Sequence, residues 1–330
     1  MIDLAEIART LVAPGKGILA ADESVHTADA RLTSYGITPS EEMRRKFRDL
    51  FLAAPGAEHY LSGVILFSET IGQKANEGTL FGDMLTSHGI APGVKVDEGI
   101  EPLVDDSKEV ITKGLIGLPE RLADFRGKGM QFTKWRSVLR IEGDRHPTAH
   151  AIVENAKRLA LYARAVQEAG MVPILEPEVL FEGKHNRLRT KSVITQGLKT
   201  VFAALADQAV DMSGIIVKTA MALSGKESGK KDTPEEVAKD TIEALVASVP
   251  AQVPGIVFLS GGQTPDQATE NLEAISQQAK IAGAPWPLTF SYARALQDEA
   301  LTVWQGKDEN VTAAREAFLT RLKKVSAALG

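Results

Sequence analysis

One lysine in this chain is placed to act as a nucleophile. Lys218 lies in the run Ser213–Ala220, whose apolar residues predict a buried strand. Such a lysine either lays its alkyl stem along the apolar wall with its ammonium in water, or it is partly desolvated, which favours the neutral amine. A neutral amine attacks a carbonyl carbon and forms a Schiff base. The run alone favours the first interpretation, so the residues around Lys218 must decide.

Charged residues also occur two positions apart within other short apolar runs. Side chains at that spacing on a strand point to the same side, so both members of a pair can face one interior. The pairs are Lys95 with Asp97, Lys134 with Arg136, and Glu176 with Glu178. The polar residues Asp22, Glu23 and Ser24 follow the first run. Buried strands have no solvated face, so these charges must line a polar cavity or pair with one another. A purely structural ion-pair network is the alternative.

Two groups of residues are suited to hold anions. Ser260, Gly261 and Gly262 follow an apolar run and precede a helix, where free backbone N–H groups bind phosphate. Ser291 and Arg294 follow the next run, and the loops after the last two strands of a barrel commonly form a phosphate site. The second group consists of the cations Lys95, Lys134 and Arg136. Two separate anion sites favour a substrate with a phosphate at each end.

The strands that must position these residues are predicted by eight short apolar runs. These runs are Gly17–Ala21, Gly63–Ser68, Gly93–Asp97, Phe132–Leu139, Met171–Val179, Ser213–Ala220, Gly255–Gly261 and Pro287–Ser291. Helical patterns between most of them indicate right-handed crossovers and a parallel sheet. Eight such units favour a closed (β/α)8 TIM barrel, with its chemistry at the carboxyl ends of the strands. An open doubly wound sheet is the alternative, but the first strand lacks the glycine-rich phosphate loop of that fold.

Composition excludes several classes of function. The chain lacks cysteine, and its histidines lack the His-Glu-x-x-His arrangement of a zinc site, so we expect no metal and no cofactor. It lacks a basic stretch with interleaved aromatics, so no nucleic-acid partner is expected. No apolar run approaches the roughly 18 residues of a membrane helix. Early acidic residues at the amino terminus argue against a signal peptide, and we expect an amphipathic helix there. We therefore expect a cytoplasmic protein, and residues 1–330 to form a single domain.

Several stretches of the chain, taken together, resemble class I fructose-bisphosphate aldolases. They occur in the family's order over nearly the whole chain: Ala13–Ser24, Gly63–Phe67, Gly93–Asp97, Lys134–Arg136, Val172–Glu178, Phe258–Gln263 and Leu288–Gln297. The resemblance implies a (β/α)8 barrel and a homotetramer. It also implies metal-independent, reversible cleavage of fructose 1,6-bisphosphate to dihydroxyacetone phosphate and glyceraldehyde 3-phosphate, through a lysine Schiff base.

The same resemblance implies roles for the charged residues. Lys218 would form the Schiff base, and Glu176 would act as general acid and base for the carbinolamine. Asp22 would take the proton of the C4 hydroxyl as the C3–C4 bond breaks. Lys134 and Glu178 would support charge and proton transfer around Lys218. Glu176 can work in both protonation states if its surroundings raise its pKa.

The implied substrate contacts form two groups. Those for the phosphate on C1 are Ser260, Gly261, Gly262, Ser291 and Arg294. Those for the remainder of the substrate and its C6 phosphate are Ser24, Thr27, Arg31, Lys95 and Arg136. The chain departs from the family's usual pattern at Ala293, where a glycine is common and a methyl would crowd a closely bound phosphate. It also has no tyrosine after Tyr292 to assist proton exchange on the enamine.

Three other functions fit some of these observations. One is a metal-dependent aldolase or another metal-using barrel enzyme. Another is a non-catalytic binding or scaffold protein on the same barrel, which would have lost the lysine or an acid that this chain keeps. The third is a Schiff-base aldolase for another phosphorylated ketose, such as fructose 1-phosphate or sedoheptulose 1,7-bisphosphate.

Overall fold

Parallel strands close into a barrel at the centre of the fold. The computed structural model describes residues 3–104 and 108–330. Its strands are β1 (Gly17–Ala21), β2 (Leu61–Leu66), β3 (Ala91–Lys95), β4 (Ile100–Pro102), β5 (Val110–Thr112), β6 (Phe132–Leu139), β7 (Val172–Val179), β8 (Ile216–Thr219), β9 (Ile256–Phe258) and β10 (Leu288–Tyr292). Eight strands in these ranges close in the order β1-β10-β9-β8-β7-β6-β3-β2, each parallel to its neighbours. The predicted (β/α)8 barrel is confirmed, and the open sheet is wrong.

Helices connect the barrel strands and cover them. Within the described ranges they are α1 (Leu4–Leu11), α2 (Val25–Ser34), α3 (Glu41–Leu52), α4 (Ser68–Ile71), α5 (Phe81–Ser87), α6 (Leu118–Gly127), α7 (Ala149–Glu168), α8 (Arg187–Asp207), α9 (Pro234–Val246), α10 (Pro265–Ala282), α11 (Arg294–Trp304) and α12 (Val311–Ala327). Thr233 and Thr264 cap α9 and α10 by accepting hydrogen bonds from backbone N–H groups of the first turn. No helix in the described parts of the chain is long and apolar enough to cross a bilayer.

The strand predictions differ from the structure mainly at strand ends. β1 and β6 have the predicted bounds, whereas β8 and β9 are shorter than their apolar runs. Residues Met212–Gly214 form a 3-10 turn, because Asp211 accepts a hydrogen bond from the Ser213 N–H. The antiparallel hairpin of β4 and β5 was not predicted. The three residues of β4 are all exposed, so no apolar run indicates that strand.

Helix α1 closes the amino-terminal end of the barrel. Its first turn is capped by Asp3, and Leu11 belongs to the apolar cluster inside the barrel together with Ile18 and Phe132. The buried Ser62 hydroxyl donates a hydrogen bond of 2.6 Å to the Leu11 carbonyl. The predicted amphipathic helix is therefore confirmed, and its apolar face serves as the floor of the barrel.

Glycines on two barrel strands make room for one aromatic ring. A Cβ on Gly93 would overlap the ring of Phe132, which is its direct neighbour in the β3–β6 ladder. A Cβ on Gly63 would lie 3.2 Å from the same ring and 2.9 Å from Leu11. The lower interior is thus filled by apolar side chains, and the charged residues lie towards the carboxyl ends of the strands.

Candidate active site

Four charged residues, three on barrel strands and Asp22 directly after β1, form a chain of contacts near the barrel mouth. Lys134 on β6 places Nζ 2.6 Å from Asp22 Oδ2 and 3.3 Å from Glu176 Oε2. The other oxygen of Glu176, on β7, lies 3.2 Å from Nζ of Lys218 on β8. Lys134, Glu176 and Lys218 are at most 5% exposed. We call Asp22, Lys134, Glu176 and Lys218 the charge cluster.

Electrostatics inside the charge cluster keep its carboxyl groups ionised. Burial by itself raises the pKa of Asp22, but the ammonium groups of Lys134 and Lys218 more than offset it and lower that pKa below its usual value. Burial likewise opposes the charge of Lys134, yet the carboxylates of Asp22 and Glu176 raise the pKa of Lys134 above its usual value. Opposite charges held close together in a buried site therefore stabilise one another.

Glu176 without substrate does not meet the condition of a raised pKa. Burial favours a raised pKa, but the charges of Lys134, Lys218 and Arg136 outweigh burial and lower the pKa of Glu176. The distances of these cations from Glu176 depend on strand register and barrel closure, which the sequence does not give.

The outward layer of the site consists of two more ion pairs. Lys95 Nζ lies 2.6 Å from Asp97 Oδ1 and donates to the Asp97 carbonyl at 2.7 Å. Arg136 donates through Nε to Glu178, and its backbone N–H donates to Asp97 Oδ2 at 3.3 Å. The prediction that charged residues two positions apart on a strand face one polar interior is confirmed. Glu178 is paired with Arg136, so its support of Lys218 stays a prediction.

A cavity of about 660 Å³ opens above this layer. That volume falls within the roughly 300–1,000 Å³ of small-molecule sites. Residues predicted to bind the substrate lie in its wall together with Asp22, namely Ser24, Thr27, Lys95 and Arg136. Ser24 caps α2, and its hydroxyl lies 3.0 Å from that of Thr27. Two hydroxyls and a helix amino terminus beside two cations suit a phosphate.

The residues predicted to bind an anion after β9 form a tight turn. The Gln263 N–H donates to the Ser260 carbonyl at 3.0 Å, and the intervening Gly261 and Gly262 have φ of 61° and 87°. These positive angles favour glycine. A Cβ on Gly262 would lie 3.7 Å from Nη2 of Arg294, so that cation stands beside the turn.

Ser291 lies on β10, and Ala293 follows that strand directly. The Ser291 hydroxyl is buried and has no hydrogen-bond partner within residues 3–104 and 108–330. Ala293 packs against the apolar cluster inside the barrel, and its φ of −106° does not require glycine. Its methyl therefore has a place in the barrel interior.

Arg31 is the predicted substrate contact that the structure places least favourably. Its guanidinium donates to Glu23 at 2.8 Å, to Asp298 at 2.6 Å and to Gln297, and it is not among the residues of the cavity wall. A direct contact with substrate stays a prediction. Arg48 was not predicted; it donates a hydrogen bond of 2.7 Å to the other oxygen of Glu23. Arg48 stands in a run of charged residues that is typical of a solvated helix face.

The fold and the charge cluster together define a class of protein. A buried lysine next to a carboxylate at the mouth of a (β/α)8 barrel is suited to Schiff-base chemistry on a carbonyl substrate. In the part of the chain that the structure describes, no group of three or more His, Cys, Asp or Glu residues is arranged to hold a metal ion.

Comparisons with known proteins identify the family. The model of the family described as fructose-bisphosphate aldolase class-I matches residues 3–330. Cytosolic fructose-bisphosphate aldolase 4 of Arabidopsis thaliana is 47% identical over 316 residues, which cover 96% of this chain and 79% of that protein. Fructose-bisphosphate aldolase of Drosophila melanogaster is 47% identical over 322 residues, 97% of this chain and 88% of that protein.

Similarity to a solved structure gives the same result. Fructose-bisphosphate aldolase from Plasmodium falciparum, solved in complex with TRAP and a small-molecule inhibitor, superposes with a TM-score of 0.96 at 41% identity. The match covers 99% of this chain and 93% of that one. The chain belongs to the class I fructose-bisphosphate aldolase family. It is therefore a metal-independent lyase, and the metal-dependent alternative is wrong.

Proposed function

We propose that the protein cleaves fructose 1,6-bisphosphate reversibly to dihydroxyacetone phosphate and glyceraldehyde 3-phosphate, with Lys218 as the Schiff-base residue. The observation that carries this proposal is the 3.2 Å contact between Lys218 Nζ and Glu176 Oε1 at the barrel mouth. A nucleophile next to its own general base is the arrangement that amine addition to a ketone requires. Membership of the class I family supports the overall reaction.

The first chemical steps use Lys218 and Glu176. Glu176 accepts a proton from the Lys218 ammonium, and the neutral amine adds to the C2 carbonyl. A proton then passes from the added nitrogen to the former carbonyl oxygen, which becomes a hydroxyl, while Glu176 stays protonated. The Lys218 nitrogen is then neutral in the carbinolamine, so one of the cations that lower the pKa of Glu176 has lost its charge. Protonated Glu176 then gives its proton to the C2 hydroxyl, which leaves as water and yields the iminium ion.

Bond cleavage uses Asp22 and the iminium ion. Asp22 is ionised because its pKa is lowered by Lys134 and Lys218 against the effect of burial. It accepts the proton of the C4 hydroxyl as the C3–C4 bond breaks, and the aldehyde leaves. The electron pair of the broken bond moves into the iminium, which becomes a neutral enamine. Lys134 lies 2.6 Å from Asp22 and keeps this carboxylate ionised until it accepts the proton.

The two anion sites would orient a bisphosphate across the charge cluster. Ser260, Gly261, Gly262, Ser291 and Arg294 would hold the phosphate on C1, supported by the turn after β9 and the unpartnered Ser291 hydroxyl. Ser24, Thr27, Lys95 and Arg136 would contact the other end, supported by their places in the wall of the mouth cavity. Arg31 would also act at this end of the substrate, through its hydrogen bond to Glu23, which lies in the cavity wall.

Reductive trapping tests the Schiff base directly. Borohydride added with dihydroxyacetone phosphate reduces the iminium to a secondary amine, so mass spectrometry should find one adduct per chain, on the peptide that contains Lys218. The Lys218→Met variant should form no adduct and have no cleavage activity. Failure to trap any adduct on the folded wild-type protein would contradict the assignment of Lys218.

Comparison of phosphorylated ketoses tests the substrate. If both anion sites are used, kcat/KM for fructose 1,6-bisphosphate should exceed that for fructose 1-phosphate by about tenfold or more, because a charged hydrogen-bonded contact is lost with the second phosphate. Sedoheptulose 1,7-bisphosphate serves as the matched bisphosphate. Equal kcat/KM for the mono- and bisphosphate would contradict a role for the Ser24 and Lys95 end of the cavity.

We further propose that residues 1–330 form one domain, that the protein is cytoplasmic, and that it forms a homotetramer. The family model extends over residues 3–330, which supports a single domain. The Arabidopsis relative is named as cytosolic. The tetramer is supported by family membership.

A further inference from the structure

We propose that Gln263 and Asn271 are positioning residues that aim the Gly261 N–H at the phosphate of the substrate. The inference rests on the proposed function, which places the C1 phosphate at the turn after β9. Neither residue lies in the wall of the mouth cavity, and neither belongs to the charge cluster. Both are nevertheless almost completely buried, at 6% and 2% exposure, so their polar groups serve the protein interior.

Gln263 holds the Ser260 carbonyl with two donors. Its backbone N–H lies 3.0 Å from that oxygen, and its side-chain Nε2 lies 2.9 Å from it. A carbonyl oxygen has two lone pairs, so both are used by this one residue. The peptide group is planar and trans, so the direction of the Ser260 carbonyl determines the opposite direction of the Gly261 N–H. Gln263 thereby sets where the proposed phosphate donor points.

Asn271 determines which way the Gln263 amide is turned. Asn271 Nδ2, on α10, donates a hydrogen bond of 2.6 Å to Gln263 Oε1. With Oε1 held there, Nε2 must face the Ser260 carbonyl. An amide turned the other way would place oxygen against oxygen in a buried site, which is costly. The orientation of the turn is thus fixed from a rigid helix rather than from the turn itself.

Such support is needed because the turn is intrinsically adaptable. Gly261 and Gly262 lie in succession, and glycine loses more conformational freedom on ordering than any other residue. Gln263 Nε2 also lies 3.5 Å from Met221 Sδ, in the segment that follows β8. One buried amide therefore contacts both the turn and the chain just after Lys218. We infer that it fixes the phosphate site relative to the Schiff-base nitrogen.

The test separates phosphate binding from Schiff-base formation. Borohydride trapping at Lys218 is measured against the concentration of dihydroxyacetone phosphate, and separately with dihydroxyacetone, which has no phosphate. Gln263→Leu should raise the half-saturating concentration of dihydroxyacetone phosphate by about tenfold, because one donor to a buried carbonyl is lost. The trapping rate with dihydroxyacetone should not change. Asn271→Leu should also raise the half-saturating concentration of dihydroxyacetone phosphate, by a smaller factor.

Controls make each outcome decisive. Gln277→Leu, at an exposed position of α10, should behave as wild type. The double variant Gln263→Leu/Asn271→Leu removes both amides together, so no amide is left buried without its partner. It therefore keeps the test usable if one single variant does not fold. The inference would be overturned by an unchanged half-saturating concentration of dihydroxyacetone phosphate in folded variants. It would also be overturned if trapping fell equally with dihydroxyacetone phosphate and with dihydroxyacetone. Absence of trapping in the wild type would instead overturn the proposed function.

Discussion

At the scale of residues, Lys134 is the member of the charge cluster on which the others depend. It contacts both Asp22 and Glu176, and burial of two carboxylates without a cation is strongly unfavourable. Because Lys134 lowers the pKa of both groups, each contributes stability above its usual pKa. That contribution is lost as the pH falls through the lowered value in the folded protein.

Lys134→Met should therefore slow the reaction and change its pH dependence. We expect kcat/KM at neutral pH to fall by about 10²- to 10⁴-fold, the range for loss of acid–base function. The pKa values of Asp22 and Glu176 rise without the cation, so the acidic limb of the profile of kcat/KM against pH should move to higher pH. Steady-state rates across pH measure both effects.

The control for Lys134→Met is Lys128→Met, which removes an exposed lysine at the end of α6. It should leave both the rate and the acidic limb as in the wild type. An acidic limb that stays in place in Lys134→Met, in protein shown to be folded by circular dichroism, would mean that Lys134 does not control the ionisation of the two carboxylates.

Residue types predicted the members of the site better than their partners. Two-residue spacing within apolar runs was enough to place Lys134 with Arg136 and Glu176 with Glu178 in one interior. Spacing within a strand says nothing about contacts between strands, which depend on register and barrel closure. The Lys134–Asp22 contact, the ionised state of Glu176 and the sequestered guanidinium of Arg31 all depend on such contacts.

At the scale of elements, two loops at the mouth support one another. The loop after β8 contains the polar stretch Gly225–Asp232. Its beginning is paired with the loop after β7: the N–H groups of Gly225 and Lys226 each donate a 2.8 Å hydrogen bond to carbonyls of that loop. Ser224 and Asp232 join its two ends through a 2.6 Å hydrogen bond. Polar composition indicates exposure but does not reveal backbone pairing between loops.

Gly225→Ala should release this loop. A Cβ at Gly225 would overlap the carbonyl of Gly183, so the two loops must separate. Trypsin should then cut after Lys226, Lys230 or Lys231 several times faster than in the wild type, as measured by mass spectrometry over a time course. Gly72→Ala is the matched control, because a Cβ there meets nothing within 4 Å. Equal cleavage rates in both variants would show that loop pairing does not protect this segment.

At the scale of the whole molecule, the two ends of the barrel have different roles. The carboxyl ends of the strands hold the charge cluster, whereas the opposite end is filled by α1 and apolar side chains. This division follows from chain topology, since parallel strands all present the same end. Eight apolar runs alternating with helical patterns were sufficient to predict it. That α1 would cover the floor was not predictable, because amphipathicity shows which face is buried but not against what.

Leu11→Ala should lower stability without changing the chemistry. Leu11 is completely buried, so its truncation should reduce the free energy of unfolding by about 2–5 kcal/mol. Urea denaturation followed by circular dichroism measures this change, and kcat per folded molecule should be unaltered. Leu188→Ala, at a position that is 58% exposed, should change the free energy by less than about 0.5 kcal/mol. A lower kcat at unchanged stability would contradict a purely structural floor.

The ring of Phe132 and the missing side chain of Gly93 have a consequence for how this barrel can evolve. The two positions share one volume across neighbouring strands. Gly93→Ala arising first forces an overpacked interior. Phe132→Leu arising first leaves a cavity, which costs stability but distorts nothing and is later filled by the alanine methyl. The same pair of substitutions is therefore accessible in one historical order and obstructed in the other.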